Sequence, residues 1–317
     1  MILHGIPANP VPEGAEAGHI TTSDGVKLRY ARWNPSAPRR GTVCVFTGRS
    51  DMIEKYFEVV EELRRRGFAV TVLDWRGQGG SQRRLRDPRK GYVRSFEEYQ
   101  IDMETLIREV VLPDCPPPLF ALGHSMGGLI LLEAVKHGRR WFDRVVLTAP
   151  LLQFVGARNR AHWRIGAKIA PLLGLGRLYV PGGGPLAVVD GPFSGNRATS
   201  DPVRFERTAS IVQSAPDLAL GSPTIAWARA AFRAMDRVAD PAYPTEIRQP
   251  LLVFAAGKDE VVSNHAIERF ATRLRAGAHL VIPGSRHEIL MERDIFRDQF
   301  WAAFDAFIPG TGSVLYR

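Results

Sequence analysis

Residues 118–134 constrain this chain more than any other stretch, because a strand, a glycine turn and a helix follow one another without a linker. Pro118-Leu119-Phe120-Ala121-Leu122 is an apolar run of strand length. Gly123-His124-Ser125-Met126-Gly127-Gly128 is the turn, and Leu129-Ile130-Leu131-Leu132-Glu133-Ala134 continues as helix. The turn fits the pattern G-x-S-x-G. A serine at so sharp a turn takes strained backbone angles, and only small neighbours escape collision. Gly123 and Gly127 are those neighbours. The hydroxyl of Ser125 then stands clear at the end of the strand, against a helix N-terminus that favours developing negative charge. Ser125 is the predicted nucleophile.

The rest of the chain supplies a frame for that turn. Residues 20–22 and 26–32, joined by Ser23-Asp24-Gly25, predict an antiparallel hairpin. Buried strands are predicted at 42–46, 69–73, 119–123, 144–147, 251–256 and 279–282. Helices are predicted at 53–66, 96–111, 126–137, 264–274 and 295–307, from apolar stripes such as Ile53, Phe57, Val60 and Leu63 or Ile101, Leu106, Ile107 and Val110. Apolar strands alternating with helices predict an α/β fold with a mostly parallel sheet covered on both faces. Residues 152–247 break the rhythm. They hold amphipathic segments at 161–173, 202–214 and 224–236 between Pro- and Gly-rich connections, and are too long for a plain loop. They are expected to form a helical insertion between two core strands, with the core in two parts at 1–151 and 248–317.

A serine hydroxyl needs a histidine to take its proton, and the histidine needs a carboxylate to fix its tautomer. In a strand–turn–helix architecture of this kind the chain order is serine, acid, histidine. Of eight histidines, only His287 follows a late strand on a glycine turn, in Pro283-Gly284-Ser285-Arg286-His287-Glu288. His279 lies within that strand and His265 starts a helix. Asp259 follows the strand 251–256 in Gly257-Lys258-Asp259-Glu260, at the carboxyl end where sites gather in open α/β sheets. Glu260 is its rival, and the shorter side chain of Asp259 suits a fixed contact. An oxyanion hole needs two backbone donors. The residue after the nucleophile, Met126, gives one. The loop Phe46-Thr47-Gly48-Arg49-Ser50-Asp51 gives the other, with the Arg49 N–H as the candidate. The Arg49 side chain has two prospects, an anionic group or the open surface, and the second is the commoner fate of an arginine.

Composition removes several other classes. With 317 residues and 45% apolar content the chain can bury a full core. Its apolar runs are too short to span a bilayer, and its first residues lack the pattern of a secretory signal. Two cysteines, Cys44 and Cys115, give neither a disulfide framework nor a metal spacing. The formal charge of +9 is partly clustered, at 64–66 and 83–90, without the interleaved aromatics of a nucleic-acid platform. No nucleic-acid partner is expected. A weak attraction to anionic membrane surfaces is the functional reading of the charge, and a solvated face is the plain one. The expected location is the cytoplasm, with peripheral contact at the inner membrane face as its variant.

Several stretches together resemble the serine lysophospholipase and monoacylglycerol lipase group of the α/β-hydrolase superfamily. They are Thr47-Gly48-Arg49 with Glu54-Lys55-Tyr56, then Asp74-Trp75-Arg76-Gly77-Gln78-Gly79-Gly80-Ser81, then Gly123–Gly128, Gly257-Lys258-Asp259 and Gly284-Ser285-Arg286-His287-Glu288. The likeness covers roughly residues 19–150 and 248–308 and is weak over the insertion. It implies a catalytic triad of Ser125, Asp259 and His287, an oxyanion hole from Arg49 and Met126, and a cap over an acyl pocket at 152–247. Thr47-Gly48 stands where monoacylglycerol lipases usually carry His-Gly, and the Gly-Arg form is more like the bacterial lysophospholipases. The implied activity is ester hydrolysis through an acyl-enzyme, on a small-molecule ester or lipid, with no metal or organic cofactor. Phe154, Trp163, Leu172, Leu173 and Trp227 are candidates to line the pocket, with packing inside the cap as their other role. The segment 74–81 is expected to be an anchored loop beside the site. An acyltransferase, a peptidase, a cofactor-free haloperoxidase and a non-catalytic binding module on the same fold remain as alternatives. A haloalkane dehalogenase does not, because it carries aspartate where Ser125 stands.

Overall fold

The computed structural model describes residues 2–156 and 174–308. Eight strands form one sheet among them: β1 (Glu16–Thr21), β2 (Lys27–Trp33), β3 (Gly41–Phe46), β4 (Phe68–Leu73), β5 (Leu119–His124), β6 (Arg144–Thr148), β7 (Leu251–Ala256) and β8 (Gly277–Ile282). Their spatial order is β1-β2-β4-β3-β5-β6-β7-β8. The β1–β2 and β2–β4 pairs are antiparallel, and every other neighbouring pair is parallel. The hairpin at the antiparallel edge closes through Gly25 at φ +81°, with the Val26 N–H donating to Thr22 Oγ1 at 2.8 Å. The fold is that of an α/β-hydrolase.

Strand pleating sorts the buried residues into two layers, since successive side chains face opposite ways. Val43, Val45, Phe120, Leu122, Val146, Leu252 and Phe254 face α1 (Phe57–Arg65) and the last helix described below. Cys44, Phe46, Ala121, Val145, Leu147, Leu251 and Val253 face α2 (Glu97–Leu106) and α3 (Met126–Lys136) on the other side. The central strands are buried along their whole length, which explains why they read as unbroken apolar runs rather than alternating ones. The stretch expected as one helix at 96–111 is α-helical only to Leu106. A π turn at Ile107–Val111 follows and keeps Ile107, Val110 and Val111 all buried, while Ile101 is only half-buried.

Between β6 and β7 lie α4 (Pro202–Ser214) and α5 (Ile225–Val238), then α6 (Asn264–Ala271) after β7 and α7 (Asp294–Phe307) after β8. Asp201 caps α4, accepting from the Val203 and Arg204 N–H groups at 2.8 and 3.0 Å, with Pro202 opening the helix. The expected segment at 161–173 lies outside the described residues. α5 buries Trp227, Ala230, Ala231 and Ala234 into the same apolar layer as α2, α3 and α6. No helix among the described residues is long and apolar enough to cross a membrane.

Glu58 on α1 ties α4 to this frame. Its carboxylate meets Arg204 and Arg207 of α4 and Arg297 of α7 at 2.6 Å each. Burial alone would raise its pKa, but these three guanidinium groups bring it from 4.5 down to about 2. A folded-state pKa below the unfolded one gives stability that is full above about pH 4.5 and is lost as pH falls toward 2. Urea unfolding from pH 6 to pH 2 is expected to show Glu58→Gln less stable than the parent at pH 6. The gap should close between pH 4.5 and 2, and a gap that persists at the acid end would refute the assignment.

Candidate active site

Four loops at the carboxyl ends of parallel strands build the site: 47–51 after β3, Ser125 after β5, Asp259 after β7 and His287 after β8. Ser125 sits at φ +49° and ψ −111°, outside the regions that L-residues favour. Its N–H donates to Thr148 O at 3.0 Å, so the strained turn is fastened to β6. Two glycines make that turn possible through close approach. A Cβ on Gly127 would lie 2.2 Å from Phe46 O, and one on Gly123 would lie 2.5 Å from Leu131 Cδ1. Gly127→Ala meets backbone that cannot yield cheaply and is expected to cost about 3 kcal/mol of stability. Gly184→Ala, with open space around it, should change stability by less than about 0.5 kcal/mol. Urea denaturation of both variants compares them directly; equal losses would show that the elbow is not sterically closed.

Sequence reasoning named Ser125, Asp259 and His287 from three distant segments, and the fold brings all three into one hydrogen-bonded line. Ser125 Oγ lies 3.0 Å from His287 Nε2, and His287 Nδ1 lies 2.8 Å from Asp259 Oδ2. Asp259 Oδ1 accepts the N–H groups of Val261 and Val262 at 2.8 and 2.9 Å, which fixes the carboxylate plane. Its side chain is fully buried. The rival Glu260 instead lies on the surface 3.4 Å from Arg197. His124, its ring tilted 52° to that of His287 at 4.9 Å, is pushed down to a pKa of about 3 by burial and by His287. It therefore stays neutral. Its Nδ1 lies 3.1 Å from Thr148 Oγ1.

Beside the line, the N–H groups of Met126 and Arg49 take no hydrogen-bond acceptor among the described residues. Met126 opens α3, where a helix leaves its first amide groups unpaired. The loop carrying Arg49 is held from below. Trp75 Nε1 donates to Thr47 O at 2.9 Å, and Gln78 Nε2 donates to Gly48 O at 2.8 Å. These two residues of the segment 74–81 were expected only as part of an anchored loop; they hydrogen-bond the backbone of the loop that carries Arg49. Nothing local in the sequence marks these contacts. The Arg49 side chain departs from both of its prospects. It is half-buried, donates to Ser50 Oγ at 2.9 Å and to Gly221 O at 2.6 Å, and lies 5.1 Å over the Trp227 ring. Neither a surface position nor an anion holds it, because the stretch after α4 folds down onto it.

The described residues line a cavity of about 420 Å³ that reaches Ser125 and His287. Met52, Leu151, Phe205, Val212, Leu220 and Met291 give it a largely apolar wall. Phe154 and Trp227 fill both of their prospects: each lines the cavity, and each also packs with the apolar core. The other candidates, Trp163, Leu172 and Leu173, lie outside the described residues. Among the described residues no group of histidine, cysteine and acidic side chains is placed to hold a metal ion. The arrangement is suited to acyl transfer from an ester to serine: a nucleophile, an oriented base and two unpaired backbone donors on the neighbouring loop and helix start, next to an apolar cavity.

Comparison with known proteins agrees with this architecture. Residues 37–294 match the family model described as serine aminopeptidase, S33. The chain is 31% identical over 299 residues to lysophospholipase L2 of Escherichia coli strain K12, covering 89% of this chain and 84% of that one. It is 26% identical to the probable lysophospholipase L2 of Haemophilus influenzae, over 92% and 91% of the two chains. Among solved structures, a soluble variant of the Saccharomyces cerevisiae monoglyceride lipase has a TM-score of 0.73 at 18% identity, over 94% of this chain and 97% of that one. That last likeness is one of fold.

Proposed function

Because the chain belongs to the serine aminopeptidase S33 family of hydrolases, we propose that it hydrolyses carboxylic esters of single-chain lipids, lysophospholipids first, through an acyl-enzyme on Ser125. The observation that carries this reading is the Ser125–His287–Asp259 hydrogen-bonded line opening into a largely apolar cavity. His287 Nε2 takes the Ser125 proton as Oγ attacks the ester carbonyl. The Met126 and Arg49 N–H groups receive the oxyanion. His287 then protonates the departing alkoxide, activates water on the acyl-enzyme, and returns the proton to Ser125. Residues 152–247 act as a cap whose described part, with Phe205, Val212 and Leu220, covers the acyl chain.

Lysophospholipids take precedence because the Escherichia coli and Haemophilus influenzae relatives, matched over most of their length, carry that name, whereas the rat monoglyceride lipase matches over only 42% of this chain. The family description raises an aminopeptidase reading. A peptide amine would need a free carboxylate, and the two acids on the described wall of the cavity, Asp51 and Glu288, are both already paired with Lys55. The substrate also suggests a lipid surface. Val188 lines the cavity at 66% exposed, Leu186 beside it is 75% exposed, and the chain carries a net charge of +9. We therefore read peripheral contact with anionic membrane as part of the function.

A hydrolysis panel tests the reading. It holds lysophosphatidylcholine, a monoacylglycerol, p-nitrophenyl esters of rising chain length and an aminoacyl-proline amide, each also with an added alcohol. Lysophospholipid turnover above the monoacylglycerol, with free fatty acid as product, is the expected result. Preference for the amide, or transfer to the alcohol in place of hydrolysis, would replace it with a peptidase or an acyltransferase. Sedimentation with anionic vesicles at low and high salt tests the membrane part, and binding that ignores salt or fails to occur would remove it.

A further inference from the structure

One buried ammonium joins two loops that the reaction needs and that the sequence places far apart. Lys55 sits in the short 3₁₀ turn Ile53–Tyr56 that leads into α1, with its side chain 7% exposed. Its Nζ lies 2.6 Å from Asp51 Oδ1 and 2.7 Å from Glu288 Oε1. Asp51 Oδ2 in turn accepts the Gly48 N–H at 2.8 Å and the Tyr56 hydroxyl at 2.9 Å. Gly48 immediately precedes Arg49, and a Cβ on it would lie only 2.9 Å from His124 Cδ2 and 3.5 Å from Ser125 Cβ. Glu288 immediately follows His287. The contacts therefore run from the oxyanion loop through Asp51, Lys55 and Glu288 to the histidine loop.

We propose that Lys55 is a positioning residue for ester hydrolysis, clamping the oxyanion loop to the loop that carries His287. The proposal rests on the ester-hydrolase reading above. An ammonium taken out of water demands compensation, which carbonyl groups of a single segment can supply. Here both acceptors are carboxylates, and each stands beside a different part of the reacting geometry. Lys55 balances two anions, and the burial of Lys55 and Asp51, with Glu288 half-buried, makes their contacts strong and specific. Without it, Asp51 and Glu288 repel each other in a poorly solvated space and must separate or draw in water. Either movement displaces the Gly48–Arg49 backbone relative to His287. Asp51 and Glu288 also keep Lys55 firmly protonated against the opposing effect of burial, so it does not serve as a base.

The test uses the full chain and a short-chain p-nitrophenyl ester, with kcat and KM measured separately. Lys55→Met is expected to lower kcat about 100-fold, the scale of a 1 Å misplacement, with KM held within about twofold. Lys55→Arg, which can still bridge two carboxylates, should recover most of the loss. Glu288→Gln breaks the bridge while keeping the Lys55–Asp51 pair, and should lower kcat about 10-fold. The double variant Lys55→Met with Glu288→Gln should fall no lower than Lys55→Met alone, because both remove one coupling. If Lys55→Met does not fold, Glu288→Gln with its kcat and KM decides. A variant that loses thermal stability yet keeps kcat per folded molecule overturns the proposal, as does a raised KM at unchanged kcat. Ester hydrolysis by Ser125→Ala at close to the parent rate defeats the underlying Ser125 acyl-enzyme reading instead, so the two failures are separable.

Discussion

Ser125→Ala is expected to lower kcat for ester hydrolysis by about 10⁶-fold while the protein folds normally. The size follows from the geometry. Removing Oγ leaves His287 with no hydroxyl to deprotonate at 3.0 Å and removes the atom that forms the acyl-enzyme. What remains is the cavity and the donor pair, which still favour a bound tetrahedral species over water. A small residual rate is therefore expected rather than none. The substitution also relieves no clash and buries no new polar group, so unfolding in urea should be nearly unchanged. Because the hydrogen-bonded line acts as a unit, His287→Ala should cost about as much alone as Ser125→Ala, and combining the two should cost little more.

Asp259→Asn is expected to cost about 10⁴-fold in kcat at neutral pH, with structure and KM largely retained. The reason is tautomeric. Asp259 Oδ1 is fixed by the Val261 and Val262 N–H groups, so an asparagine keeps its carbonyl oxygen there and turns its amide NH₂ toward His287 Nδ1. A donor facing Nδ1 forces that nitrogen to accept. The proton then sits on Nε2, which can no longer take one from Ser125. Glu260→Gln is the control. Its carboxylate is exposed and 3.4 Å from Arg197, far from the imidazole, so activity should stay within about twofold. If the two variants were equally harmed, the acid of the triad would have been misassigned. Steady-state rates with one soluble ester, on both variants side by side, check this.

Much of this site was legible because it is encoded locally. An apolar run, a glycine pair around Ser125 and a following helix identify the elbow without any tertiary information, and the strained φ of +49° is what the glycines predict. Asp259 and His287 could be found because each follows a strand, and strand ends are visible as apolar runs broken by glycine. Residues that act across the fold were not legible in that way. Lys55 and Glu288 are separated by 233 positions, and only the meeting of the β3 and β8 loops gives them a common purpose. Gln78 reads as one polar residue among glycines until its amide is seen holding Gly48 O. Arg49 shows the same limit from the other side. A lone arginine suggests solvent, and only the return of the chain after α4 puts Gly221 O and Trp227 around it. The π turn at Ile107–Val111 was missed because a helical stripe is read at one fixed period, and the turn changes that period where Val110 and Val111 both go inward.

The central claim is a covalent acyl intermediate on Ser125, and trapping that intermediate tests it most directly. The enzyme would be mixed with excess p-nitrophenyl ester, quenched in acid during turnover, digested and weighed by mass spectrometry. The account predicts an added acyl mass on the peptide holding Gly123–Gly128, placed on Ser125 by fragmentation and missing from Ser125→Ala. Continued hydrolysis with no acyl mass on that peptide, or with the acyl group on another side chain, would contradict it.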